Sequence, residues 1–169
     1  MRVIKNCNCV MSLLLAASFA GATGCRAPAS RNIHFETEKF EPRASDDFVA
    51  VGRAVEVMIK HPKLRLVVVG YTDAVGSDEY NRDLASRRAT RVRELVLIAE
   101  PTLEARTAIA YYGMARPIAD NSTAEGKAKN RRVELFFYYP KIGVADEDTL
   151  QRHFGSGLEF KASASASVE

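Results

Sequence analysis

The chain has 169 residues, with 24 Lys+Arg against 21 Asp+Glu, three Cys and three His. That length holds one domain, with or without tails, and buries a core without help from disulfides. A net charge of +3 is too small to mark a nucleic-acid binder, 47% hydrophobic and 27% charged residues exclude a disordered chain, and three Cys form neither a disulfide framework nor a zinc pattern.

The first segment, residues 1–24, has the layout of a secretory signal. Arg2 and Lys5 give a positive start, and the first acid is Glu36. Val10 to Ala20 is an apolar run of 11 residues, VMSLLLAASFA, too short to span a bilayer. Small residues follow, Ala22-Thr23-Gly24, and then Cys25. This ending resembles a lipobox, in which the Cys becomes the first mature residue and carries lipid. Ala22 departs from the usual Leu, and ordinary cleavage after Ala22 is the other reading. If the lipobox is used, Cys7 and Cys9 are discarded, Cys25 is acylated, and the formal charge falls from +3 to +1. Each buried CH₂ contributes about 0.8 kcal/mol of membrane affinity, so several acyl chains anchor firmly. Arg26 follows in place of the Asp that commonly retains lipoproteins in the inner membrane, which favours the outer membrane. Cys25 and a short polar linker make up residues 25–32, and seven extended residues reach only about 25 Å.

Beyond the linker the pattern alternates. Ile33 to Phe35 reads as a short strand. Pro42 and Ser45-Asp46-Asp47 open a helix with N-cap chemistry and early negative charge. Phe48, Val51, Val55, Met58 and Ile59 share one arc of it, and it ends near His61-Pro62. Leu64 to Gly70 (LRLVVVG) is a short β-branched strand of the buried type. Tyr71-Thr72-Asp73 leads out of it, and a long helix runs from Glu79 to Ala99. Thr107 to Tyr112 is a strand, Gly113 to Ser122 a loop, Thr123 to Asn130 a helical turn. Arg132 to Tyr139 is the last strand. The order β-α-β-α-β-(short helix)-β predicts an α/β (α+β) two-layer sandwich over residues 33–139. Residues 140–169 form a C-terminal tail, with a small helix near Asp146 to Phe154 and a disordered Ala-Ser end.

The long helix carries the most informative physics. At about 100° per residue, Asn81, Leu84, Ala85, Ala89, Val92, Leu95 and Val96 form the core stripe, and Arg88 falls inside it. Arg82, Arg87, Arg91 and Arg93 fall on or near the solvent side. A cation among apolar residues must be paired or open to a pocket. Arg88 therefore either snorkels or pairs structurally, or it faces a ligand. Asp73, just past a buried strand, is either a turn residue or a ligand group. If both share a pocket, Asp73 suits an ammonium and Arg88 a carboxylate, the pattern of an amino-acid head group.

Tyr71-Thr72-Asp73, Gly76, Asn81, Leu84, Arg88, Ala89 and Val92 resemble the OmpA-like peptidoglycan-binding domain family. The family pattern is roughly T-D-x-x-G-x-x-x-x-N-x-x-L-S-x-x-R-A-x-x-V. Arg116 to Asn121, Gly126 and Asn130-Arg131-Arg132-Val133-Glu134 match its second motif, and Phe35-Glu36-Thr37 its start. Ala85 replaces a usual Ser, Tyr71 a common His, and Met114-Ala115 a Glu-containing pair. The resemblance implies non-catalytic binding of the diaminopimelate-containing stem peptide of peptidoglycan. It implies Asp73 on the ammonium and Arg88 on the carboxylate, with Asn81, Thr72, Arg131 and Glu36 adding contacts. Together with the lipobox it implies a Pal-type lipoprotein, anchored through Cys25 in the outer membrane with its domain in the periplasm. The alternative is an envelope-complex interaction lipoprotein, Tol-Pal-like or of a secretion system, with weak or no wall binding.

Other functions lack residues. His34, His61 and His153 are scattered without metal-ligand spacing. There is no G-x-S-x-G elbow, and Gly126-Lys127 lacks the upstream Gly of a phosphate loop. The expectation is no enzyme, no metal, no cofactor and no nucleic acid.

Overall fold

The computed structural model describes residues 32–43, 45–140, 146–155 and 158–159. The signal segment, Cys25, the linker as far as Arg31 and the Ala-Ser end lie outside the described residues.

The chain runs β1 (Ile33–His34), α1 (Ser45–Lys60), β2 (Arg65–Tyr71), α2 (Asp78–Ala99), β3 (Thr107–Gly113), α3 (Ala124–Asn130), β4 (Arg132–Tyr138), α4 (Asp146–Phe154) and β5 (Leu158–Glu159). A 3-10 turn, Pro101–Arg106, links α2 to β3. The sheet order is β1-β4-β2-β3-β5. β2 pairs parallel with β3 and antiparallel with β4, and the short edge strands β1 and β5 run antiparallel to β4 and β3. The expected mixed α/β order is present.

Strand alternation divides the sheet residues between two cores. Leu66, Val68, Ile109, Val133 and Leu135 face α1 and α2, where Val51, Val55, Met58, Val92 and Val96 fill the layer. Val67, Val69, Tyr71, Ala110 and Tyr138 face the other way and pack with Leu150 and Phe154 of α4. The helix expected in the tail thus covers the second face of the sheet, and β5 extends the β3 edge. Packing continues past residue 139, where the sequence reading ends the domain.

On α1 the buried stripe is Asp47, Ala50, Val51, Ala54, Val55 and Met58. Phe48 and Ile59, placed in the apolar arc from sequence, are 46% and 53% exposed. They sit at one flank of that arc, while the small Ala50 and Ala54 take the opposite flank against the core. Asp47 is buried, and its Oδ1 accepts from the His34 backbone N–H at 3.3 Å, which offsets part of the cost of burying the carboxylate.

One contact sets the height of the functional helix. A Cβ on Gly70 would run into the backbone carbonyl of Ala85. The absence of a side chain there lets α2 lie directly on β2. Ala85, fully buried, is the small packing residue that its sequence position suggested. Arg88, one turn further along α2, is thereby brought over the end of β2.

Candidate functional site

The site is built where β2 ends. Ser77 caps α2, accepting from the Tyr80 N–H at 3.2 Å. Asp78 and Glu79 occupy the first turn, where the helix dipole favours acids. The link between Asp73 and this cap is tied down from two sides. Asn81 Nδ2 donates to the carbonyls of Val75 at 2.9 Å and Ser77 at 3.1 Å. Asn121 Oδ1 accepts from the Ala74 N–H at 3.2 Å and from Asn130 Nδ2 at 2.9 Å. Asn130 Oδ1 in turn accepts from the N–H groups of Ile118 and Ala119. The second sequence motif is therefore structural in large part: Asn130 pins the 116–121 loop, and that loop pins the one after Asp73.

Arg88 is fully buried, as its place in the apolar stripe required. Its partners are backbone carbonyls. Nε donates to Lys39 O at 2.9 Å, Nη1 to Tyr71 O at 3.2 Å and Nη2 to Glu36 O at 3.0 Å. The Phe35 ring lies 5.1 Å from the guanidinium carbon. Burial pushes the Arg88 pKa down to about 10, with the Asp73 carboxylate pulling the other way, so the group stays cationic at neutral pH. A guanidinium carries five N–H donors, and the three carbonyls leave two of them available.

Asp73 does not bond directly to Arg88. Its Oδ2 accepts from Arg131 Nη1 at 2.8 Å, and both side chains are largely buried. Its Oδ1 accepts from the Val75 N–H at 3.3 Å. Arg131 Nε also donates to Phe35 O. Asp73, Arg88, Arg131 and Asn81 all line one cleft of about 50 Å³, together with Thr37, Glu38, Val75, Gly76, Tyr80 and Leu84. Two cations and one buried carboxylate meet there. Asp73 pairs directly with Arg131, while Arg88 makes its direct hydrogen bonds to three backbone carbonyls and feels the Asp73 carboxylate through space. Such an arrangement accepts an anionic group at Arg88 and, beside it, a cation at Asp73. Asn81 Oδ1 is buried without a hydrogen-bond partner, and the two carbonyls around Nδ2 decide which end of the amide it is.

Two of the residues expected in the site stand elsewhere. Thr72 is buried and does not line the cleft, and its Oγ1 lacks a partner. Glu36 also lies off the cleft wall, and its half-exposed carboxylate pairs with Arg43 at 3.7 Å. Glu36 contributes its carbonyl, held by Arg88, rather than its carboxylate. Glu38 lines the cleft instead, at a φ of 59°, a left-handed conformation unusual for Glu. Nothing in a helical or strand pattern marks that residue.

Two arginines assigned to solvent or left aside are also buried. Arg93 donates through Nε to Thr107 O at 3.1 Å and lies 3.6 Å from Glu104. On the wheel it falls about 40° beyond Ala89, at the margin of the apolar stripe. Arg132 bonds Glu134 at 2.7 Å and lies over the Tyr71 ring at 3.9 Å.

A match to the OmpA family covers residues 34–131. The chain belongs to the OmpA family. This OmpA-family chain is 39% identical to outer membrane porin F of Pseudomonas aeruginosa over 119 residues, covering 67% of the chain and 33% of that protein. It is 34% identical to the peptidoglycan-associated lipoprotein of Legionella pneumophila over 94 residues, 56% of the chain and 53% of that protein. Among solved structures, the C-terminal domain of Helicobacter pylori MotB matches with a TM-score of 0.56 and 27% identity, covering 73% of this chain and 92% of that one. The chain spans between a third and about half the length of these two curated relatives. Among the described residues no helix is long and apolar enough to cross a membrane, and no cluster of three or more His, Cys, Asp or Glu could hold a metal.

Proposed function

We propose that this domain binds, without catalysis, the free amino-acid end of diaminopimelate in the peptidoglycan stem peptide. The observation that carries the reading is the meeting of Asp73, Arg88 and Arg131 at one cleft. The two donors that Arg88 keeps after clamping three carbonyls suit a carboxylate. Asp73, which has lone pairs beyond its bonds to Arg131 and Val75, accepts the ammonium, and Asn81 Oδ1 is a second acceptor for it. The similarity to the peptidoglycan-associated lipoprotein of Legionella pneumophila supports the same reading. We further propose that residues 1–24 are a lipoprotein signal and 25–32 the lipidated Cys25 with its linker. The domain would then tether the outer membrane to the wall from the periplasmic side.

Co-sedimentation with purified diaminopimelate-type peptidoglycan tests the reading. The wild type pellets, and Asp73→Asn, folded by circular dichroism, stays in the supernatant. Wall that carries Lys in place of diaminopimelate retains little protein, because Arg88 has no carboxylate to hold. Equal pelleting of wild type and Asp73→Asn would refute the mechanism. Mass spectrometry of the mature N-terminus, with Cys25→Ser as the control, checks the anchor.

A further inference from the structure

The charged grip is flanked by apolar surface that the head-group chemistry does not use. Val75 and Tyr80 line the cleft and remain 46% and 44% exposed. Leu84 completes the wall and is nearly buried. Tyr80, Leu84 and Arg88 are spaced by four along α2, so they share one face, and each step advances about 6 Å. The ridge reads ring, isobutyl, guanidinium. The ring is also positioned. Gly76 adopts a φ of 94°, and a Cβ there would lie 3.1 Å from Tyr80 Cδ1. The missing side chain gives the ring its seat beside the cleft.

We propose that Tyr80, seated on Gly76 and flanked by Val75 and Leu84, is a specificity-determining residue that receives the methylene chain of the bound amino acid. This inference rests on the head-group reading above and extends it. The Asp73, Arg88 and Arg131 cluster takes any α-amino acid end, and the apolar ridge selects those that continue into an unbranched aliphatic chain. A head group held at Arg88 lays its chain over Leu84 and brings the far methylenes to the face of Tyr80. Aromatic faces bury much area with few rotatable bonds, which suits a wall beside a charged grip.

The test compares glycine with D-norleucine, which share a head group and differ only in the chain. Binding is followed by NMR titration of the full mature protein. The wild type binds D-norleucine about tenfold more tightly than glycine, from partial burial of its methylenes. Tyr80→Ala closes that gap to within about threefold, and Tyr80→Phe keeps the gap. A gap that survives in a folded Tyr80→Ala overturns the inference, while the head-group grip stands. Failure of the wild type to bind either amino acid refutes the grip itself, and the inference with it.

Discussion

Arg88 is both the expected ligand contact and a structural clamp, and the clamp can be tested without ligand. Truncation to Ala removes three hydrogen bonds from a charged donor, to Lys39, Tyr71 and Glu36 carbonyls. Bonds of that class contribute about 1.5–3 kcal/mol each. Against them stands the net cost of the buried charge, which pushes the Arg88 pKa down to about 10 and corresponds to about 3 kcal/mol relieved when the charge is removed. The balance is a destabilisation of about 1.5–6 kcal/mol, or a drop in Tm of roughly 7–30 °C for a domain near 100 residues. Arg88→Lys keeps the charge but cannot reach three carbonyls at once, so it also melts early. Thermal unfolding followed by circular dichroism measures both variants. A Tm for Arg88→Ala within about 3 °C of wild type would refute the clamp. Because grip and clamp are one side chain, ligand binding by these variants is to be measured well below their melting temperatures.

Two further outcomes follow from the packing and the titrating groups. Phe154 of α4 is buried against the second sheet face, and Tyr112 Oη donates to its carbonyl at 2.8 Å. Phe154→Ala should therefore cost about 3 kcal/mol in urea unfolding, and a loss under about 1 kcal/mol would mean that α4 unfolds separately from the sheet. Burial lowers the His34 pKa below its ordinary 6.5, opposed by Asp47 and aided by Arg43 and Arg132. The unfolded chain thus binds the proton more readily, and stability is lost as pH falls from 6.5 toward the lower folded value. His34→Gln should flatten the decline of Tm between pH 7 and 5, and an unchanged slope would contradict this assignment.

Much of the site was legible along the chain because its parts sit in regular elements. A buried-type strand read from Leu64 to Gly70 places Asp73 just beyond its tip. An arginine on the apolar stripe of α2 cannot be an ordinary surface residue, and Arg88 is indeed fully buried. What escaped was set by contacts between distant segments. Glu38 reaches the cleft because Arg88 holds the carbonyls on either side of it, at Glu36 and Lys39. Glu36, next in line with the motif, turns away to Arg43. No local periodicity distinguishes these two acids.

The sequence by itself determined the order of elements, the two motifs and the burial of a charge, since each depends on spacing within one strand or helix. The tertiary structure alone decided how that charge is satisfied. Arg88 is compensated by three carbonyls, and Asp73 is paired with Arg131, 58 residues away. It also decided that α4 closes the second face of the sheet, with Leu150 and Phe154 against Val67, Val69 and Tyr71. The physical reason is the same in each case. Periodicity reports which face of an element is apolar, whereas a polar partner or a covering helix is chosen by the three-dimensional approach of segments far apart in the chain.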